Sequence, residues 1–443
     1  MQLIFFMFLK GAAAHGHPQR NICVAFLLPL LMFSCAPESG YDRQQLNTLS
    51  VRAVYPEGEE YWVHEGVKVT IEETSGGASY TALTDAAGLA SIRLANGNYT
   101  IRISDMVPDE DADKEYVFNG TQEKVMLTGS DREVRVDLTK TTIARGLVFR
   151  EIYTSGCQKY PLEGTYQADK YVILHNNAKE TRYLDGLCFA TADPYNSGAS
   201  NVWVSTKDGK TVYPDFVPVI QVIWQFPGSG TDHPLQPGED AVVACCGAID
   251  HTKIYEKSVN LNDASYYACY NPVLFVDTRY HPAPGDKIRE DHILDVVIKM
   301  GVSKAFALSI NSPAVLIFRA PEGTTIQDFL ETAGNVIQKP GSSIDRIAKI
   351  PLEWVEDAVE VFTNSPSGNT KRLNPQLDAG YVRLSETFQG RVIYRRIDEE
   401  KTEARGYTVL QDTNNSASDC YDSGPDGQSL RKITEDDHSE QEK

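Results

Sequence analysis

Short runs in which apolar and polar residues alternate mark the early part of the chain. Val67-Lys68-Val69-Thr70-Ile71, Ala90-Ser91-Ile92-Arg93-Leu94, Tyr99-Thr100-Ile101-Arg102-Ile103 and Val134-Arg135-Val136-Asp137-Leu138 all repeat with period two. Successive side chains of a strand point to opposite faces, so the pattern predicts strands with one face buried and one polar. Between them lie Ser75-Gly76-Gly77, Asp85-Ala86-Ala87-Gly88 and Asn96-Gly97-Asn98, residues that supply the backbone freedom of tight turns. Short strands joined at this spacing predict a small sandwich over residues 48–140.

From Ile143 the apolar runs lengthen. Leu147-Val148-Phe149-Arg150-Glu151-Ile152-Tyr153, residues 170–177 and residues 183–187 read as strands of a second, larger β region spanning 143–417. One segment departs: Ile326, Phe329 and Leu330 stand at helical spacing within 325–332. Beyond it, residues 418–443 turn acidic with little to bury and are expected to be disordered. The expected fold is all-β: two tandem antiparallel, immunoglobulin-like β-sandwiches after a secretion signal.

That signal rests on Leu31-Met32-Phe33-Ser34-Cys35, which closes an apolar run begun near Ile22 and is followed by Ala36-Pro37-Glu38-Ser39-Gly40. The layout is that of a bacterial lipoprotein signal, in which the cysteine is acylated and becomes the mature N-terminus. The run is too short to cross a bilayer, which takes ~20 apolar residues. Residues 1–34 are therefore expected to be the signal, Cys35 the lipidation site and 35–47 a lipidated tether. The opening stretch fits an initiator assigned too early, with Arg20 in the true positively charged region. Everything after Cys35 is then expected at the outer membrane, anchored by lipid on its periplasmic or its cell-surface face.

A formal charge of −19 argues against nucleic acid as a partner and against docking on anionic lipid through basic patches. Of the 8 cysteines, Cys23 lies in the signal and Cys35 is the expected lipid site. Cys157, Cys188, Cys245, Cys246, Cys269 and Cys420 remain, as disulfides or as buried free thiols. No C-x-x-C spacing suggests zinc.

Thr84-Asp85-Ala86-Ala87-Gly88-Leu89-Ala90, then Leu94, Gly97 and Tyr99-Thr100-Ile101, resembles carboxypeptidase-regulatory-like and collagen-adhesin B-type domains. The resemblance implies a strained turn glycine, a buried aromatic and a role as spacer. The strand with Glu151 and Tyr153, residues 171–176 and Leu184-Asp185-Gly186-Leu187 resemble a lamin-tail type of sandwich. With Leu235-Gln236-Pro237-Gly238-Glu239, Ile350-Pro351-Leu352-Glu353-Trp354, Leu377-Asp378-Ala379-Gly380-Tyr381 and Gln411-Asp412-Thr413-Asn414-Asn415-Ser416, most of 143–420 is similar to a Bacteroidota lipoprotein family with domain of unknown function 4876. Arg150 and His175 depart from its pattern, without threat to the fold. The resemblance implies a fold without a defined activity, and accessory partners of TonB-dependent outer-membrane transporters among the relatives.

Candidate chemistry is sparse. Residues 109–115 are acidic enough to suggest calcium, but Lys114 and Gly120 stand where an EF-hand needs Gly and Glu, and the stretch reads as a solvated loop. His233, His251, His281 and His292 are scattered, and Asp250-His251 is a fragment of an acid–base pair without a nucleophile. No G-x-S-x-G or phosphate-cradling glycine loop occurs. Neither catalytic residue, cofactor nor metal is expected. For binding, the glycine-rich loop 226–234 with His233 is the leading candidate. Trp203 and Trp224 are poised between core and binding face, whereas Trp354 reads as core. Asp412, Asn414 and Asn415 form either a closing turn or a polar patch for a ligand or partner. The leading expectation is a non-enzymatic envelope lipoprotein that binds a ligand or serves an outer-membrane transporter. The alternatives are a polymer hydrolase, which would need Asp250 and His251, and an adhesive surface module.

Overall fold

The alternating runs become strands of two packed sheets. The computed structural model describes residues 46–431 apart from 76, 109–114, 144–145, 208–209 and 366–367. Cys35, the signal and most of the acidic 109–115 stretch lie outside the described residues. The first module comprises β1 (Leu46–Val54), β2 (Lys68–Glu73), β3 (Ser79–Leu83), β4 (Leu89–Ala95), β5 (Gly97–Pro108), β6 (Glu115–Leu127), β7 (Arg132–Asp137) and β8 (Thr139–Ile143). They form a three-stranded sheet in the order β4-β1-β7 and a five-stranded sheet in the order β3-β2-β5-β6-β8. Leu49, Val51, Val69, Ile71, Ile101 and Ile103 fill the space between. Gly88 takes φ +72°, where a side chain would be strained, and Asp85 Oδ1 accepts the N–H groups of Ala87 and Leu89 at 2.9 Å around that turn. Tyr99 is buried and donates its hydroxyl to the Ala95 carbonyl at 2.8 Å.

The larger module packs a six-stranded sheet containing β9 (Leu147–Tyr153) against a sheet built around Phe216–Gln225, Cys188–Ala192, Ala314–Phe318 and Val355–Thr363. Phe149, Val172, Leu174, Phe189, Trp224 and Ile317 form the central core between them. Both sheets are also covered on their outer faces. Tyr171, Ile173 and Val242 pack with Val259 and Leu261 on one side. Ala190, Val219 and Leu316 pack with Ile326 and Leu330 on the other. Double coverage is why these strands read as near-continuous apolar runs. The helix Ile326–Glu331 falls where its spacing places it, with the Thr325 hydroxyl accepting the Asp328 N–H at 3.1 Å as N-cap.

Three findings differ from the sequence expectation or choose within it. The sheets are mixed: β1 runs parallel to β7, and Val355–Thr363 runs parallel to Val382–Leu384. The region expected to be disordered from 418 onward is ordered as far as 431, with helix Ser416–Asp419 and edge strand Cys420–Asp422. Polar contacts hold it where apolar residues are few: Gln428 Nε2 donates to the Tyr153 hydroxyl at 3.2 Å, and the Ser429 hydroxyl donates to Glu151. All six described cysteines are buried free thiols, and burial pushes the Cys246 thiol up to about 12.

Candidate functional site

Part of the polar face of the five-stranded sheet faces the larger module rather than open water. Lys68, Thr70 and Glu72 of β2, Ser79 and Thr81 of β3, and Arg102, Ser104 and Met106 of β5 form one wall of a groove of about 710 Å³. They are the alternate positions to the core-facing Val69, Ile71, Ile101 and Ile103. The larger module supplies the opposite wall with Tyr381, Arg383, Arg396, Thr413, Asn415 and Ser418. The volume lies within the ~300–1,000 Å³ of small-molecule pockets.

Four basic side chains and one acidic side chain line this groove, in a chain of net charge −19. Arg102 is 5% exposed and donates from Nη1 to Glu72 Oε2 at 2.7 Å. Its guanidinium lies 4.5 Å from the centre of the Tyr381 ring, and that of Arg383 lies 5.1 Å from the same centre. Phe362 stacks on Tyr381 at 4.1 Å and fixes the ring. Arg383 also reaches Glu72 at 3.7 Å, so one carboxylate serves two guanidiniums. Burial alone would lower the Arg102 pKa, but Tyr381 and Glu72 outweigh it and the pKa is raised. Nε and Nη2 of Arg102 are buried without a hydrogen-bond partner, and so is Nδ2 of Asn415. Such donors are costly to leave unmatched, and each of these is a donor.

The walls are held together by the 412–416 segment. Asn119 Nδ2 of β6 donates to the Thr413 carbonyl at 2.7 Å, and Thr121 Oγ1 donates to the Ala379 carbonyl at 2.9 Å. Asn414 adopts φ +51° and reaches Thr141 Oγ1 at 3.4 Å. Asn415 caps the helix Ser416–Asp419, its Oδ1 accepting the Ala417 N–H at 3.2 Å. Asp412 accepts from Arg395 at 3.2 Å, and the buried Arg395 also meets Asp357 at 2.5 Å and Asp419 at 3.9 Å. Burial raises Asp357 to about 6 and Asp419 to about 7, against the lowering effect of Arg395. The segment is thus a structural clasp, and of the three residues singled out in it only Asn415 lines the groove.

The remaining candidates lie elsewhere. Trp224 is 0% exposed in the central core between Phe275 and Phe306, which corrects its reading as a binding residue. The sheet that carries it is covered on both faces. Trp203 is half-buried and donates from Nε1 to Asp193 Oδ2 at 2.7 Å. His233 is buried, its Nδ1 3.2 Å from the Tyr267 hydroxyl. The loop around it is pinned: Asp185 accepts the N–H groups of Gly230, Asp232 and His233 at 3.0, 2.8 and 2.9 Å. Burial pushes the Asp185 carboxyl up, but these backbone bonds outweigh it and the pKa is lowered. A Cβ at Gly228 would stand 2.1 Å from Asp185 Oδ1, so only glycine lets the loop close.

Asp250 and His251 do not face each other as acid and base. Asp250 accepts the Thr252 N–H at 3.2 Å, while His251 Nδ1 meets the Tyr166 hydroxyl at 2.7 Å and Nε2 the Gly247 carbonyl at 2.6 Å. His175 and Arg150 both pair with Asp240. Among the described residues no group of three or more His, Cys, Asp or Glu could hold a metal ion, and no helix is long and apolar enough to cross a membrane.

Sequence reasoning singled out neither Arg102, Arg383 nor Arg396. Arg102 was visible only as a polar position in an alternating strand, which reads identically whether the face meets water or a second module.

Residues 236–425 match the family described as Protein of unknown function (DUF4876). A crystal structure of a DUF4876 family protein from Bacteroides thetaiotaomicron VPI-5482 is similar over 89% of this chain and 100% of its own, with 24% identity and a TM-score of 0.52. That likeness shows the fold, and the fold is all-β. A DUF3823 family protein from Parabacteroides merdae ATCC 43184 is similar over 41% of this chain and 82% of its own, at 13% identity and a TM-score of 0.15, too slight to bear on the fold. No curated protein matches.

Proposed function

We propose that this chain is a lipid-anchored binding protein of the outer membrane, non-catalytic, whose ligand seat is the groove between its two modules and whose partner is a TonB-dependent transporter. The observation that carries the binding reading is the groove itself: about 710 Å³, predominantly basic, with Arg102 Nε and Nη2 unmatched in its wall. Buried donors of this kind mark a place where a missing acceptor would be favourable. The anchor rests on the cysteine at the end of the apolar run, and the transporter on the family resemblance of the larger module. The acid–base fragment at Asp250 and His251 is engaged in turn and core contacts, which removes the feature that most favoured a hydrolase.

The test is a mild-detergent pull-down of the full lipidated protein from its native outer membrane, with mass spectrometry of co-purifying proteins. A stoichiometric outer-membrane barrel is expected. Recovery of the protein alone would sink the transporter partnership.

A further inference from the structure

The groove's unmatched groups share one property: all of them give hydrogen bonds. Arg102 uses Nη1 on Glu72 and leaves Nε and Nη2, the side-on fork of a guanidinium, without an acceptor. That fork matches the two oxygens of a carboxylate or of a sulfate or phosphate group. Asn415 uses Oδ1 on its own helix cap and leaves Nδ2 free. The charge points the same way, since Lys68, Arg383 and Arg396 join Arg102 against the single carboxylate of Glu72. A neutral ligand would leave that surplus uncompensated, while an anion would neutralise it in a site walled by protein.

The other part of the chemistry is the density of small hydroxyls. Thr70, Ser79, Thr81, Ser104 and Thr413 line the same space, and a hydroxyl both donates and accepts. Such a lining suits a ligand that is itself rich in hydroxyls, at a size well beyond a free inorganic ion.

Building on the groove as ligand seat, we infer that its ligand is an acidic oligosaccharide, bearing carboxylate or sulfate groups. The acidic group sits on the arginine side, toward Arg102 and Arg383. The sugar hydroxyls meet the serines and threonines of β2, β3 and β5. Lys68 and Arg396 are exposed and gather the anion at the mouth, an attraction that salt screens.

The test is calorimetric titration of the full chain with trigalacturonate, a chondroitin-sulfate tetrasaccharide and neutral maltotriose, at low and at physiological salt. One or both acidic probes are expected to bind, at least tenfold more tightly than maltotriose, and to weaken with salt. The trigalacturonate and chondroitin-sulfate arms separate carboxylate from sulfate recognition. Lys68→Glu with Arg396→Glu reverses two exposed charges and is expected to cut affinity tenfold or more. Because Arg396 Nε also donates to the Ser418 carbonyl at 3.2 Å, Lys68→Glu alone is the variant expected to weaken binding with an unchanged melting temperature. Arg102→Lys keeps the charge and removes the fork, and is expected to weaken the acidic probes by a similar factor. Equal affinity for maltotriose, no binding of either acidic probe, or full binding by the Lys68→Glu/Arg396→Glu protein would overturn the inference. A barrel in the pull-down without acidic-sugar binding would overturn this ligand class and leave the transporter partnership standing.

Discussion

Arg372 and Arg102 are both nearly sealed from solvent, yet their surroundings are opposite in kind. Arg372 is 2% exposed in the larger module and spends its donors fully. It donates to Glu360 at 2.7 Å and to the carbonyls of Pro194, Ser312 and Val361 at 3.2, 2.9 and 3.1 Å. Glu360 in turn accepts the backbone N–H groups of Arg372 and Leu373. Arg102 has one shared carboxylate, an aromatic face and two idle nitrogens. A buried charge with every bond met is fixed architecture, whereas Arg102 keeps two donors unspent.

The comparison breaks most visibly if the same substitution is made at both places. Arg372→Met strands the buried Glu360 carboxylate and is expected to cost about 3–5 kcal/mol in denaturant unfolding. If it proves mild, the satisfied network is not what holds that region. Next comes pH. Asp419 and Asp357 have folded pKa values above their unfolded ones, so they hold more protons in the folded chain. Their contribution is fully present below about pH 4 and is lost as pH rises through about 6 to 7. Asp419→Asn should flatten that slope in melts taken between pH 5 and 8; an unchanged slope would place the titration elsewhere.

Asp185→Ala removes one acceptor from three backbone donors and is expected to cost roughly 1–3 kcal/mol, with faster hydrogen exchange at 230–233. Because the Asp185 pKa is lowered, its contribution is present above the unfolded value and fades as pH falls through the folded one. Protection that survives the substitution would mean the loop is held by other contacts. The smallest effect is expected at the groove, where Arg102→Met should stay within about 1 kcal/mol of the parent, since Glu72 keeps Arg383. A loss as large as that of Arg372→Met would erase the distinction.

What the sequence made legible follows its periodicities. The period-two runs located β2, β4, β5 and β7 of the first module but not β1, β3, β6 or β8, and β9 begins and ends where its apolar run does. The helix at Ile326–Glu331 and the turn at Gly88 were equally readable, because local chemistry decides both. The groove was not. Lys68, Thr70, Glu72 and Arg102 carry the signature of a solvated face, and only the packing of a second module over them makes them a wall. Asp185 was visible as part of a motif, but its role depends on a loop 45 residues away folding back onto it. Trp224 read equally as core and as binding face, because aromatic character alone does not distinguish a binding platform from the middle of a sandwich covered on both sides.

The clasp between Asn119 and Thr413 joins residues 294 apart in sequence, and the groove is assembled across the same seam. The first module therefore supplies one wall of the groove, with Lys68 and Arg102, and the second supplies Arg383 and Arg396. Neither sandwich carries the cationic pocket alone, so a gene fusion or truncation that kept only one would pass on a fold and lose the pocket.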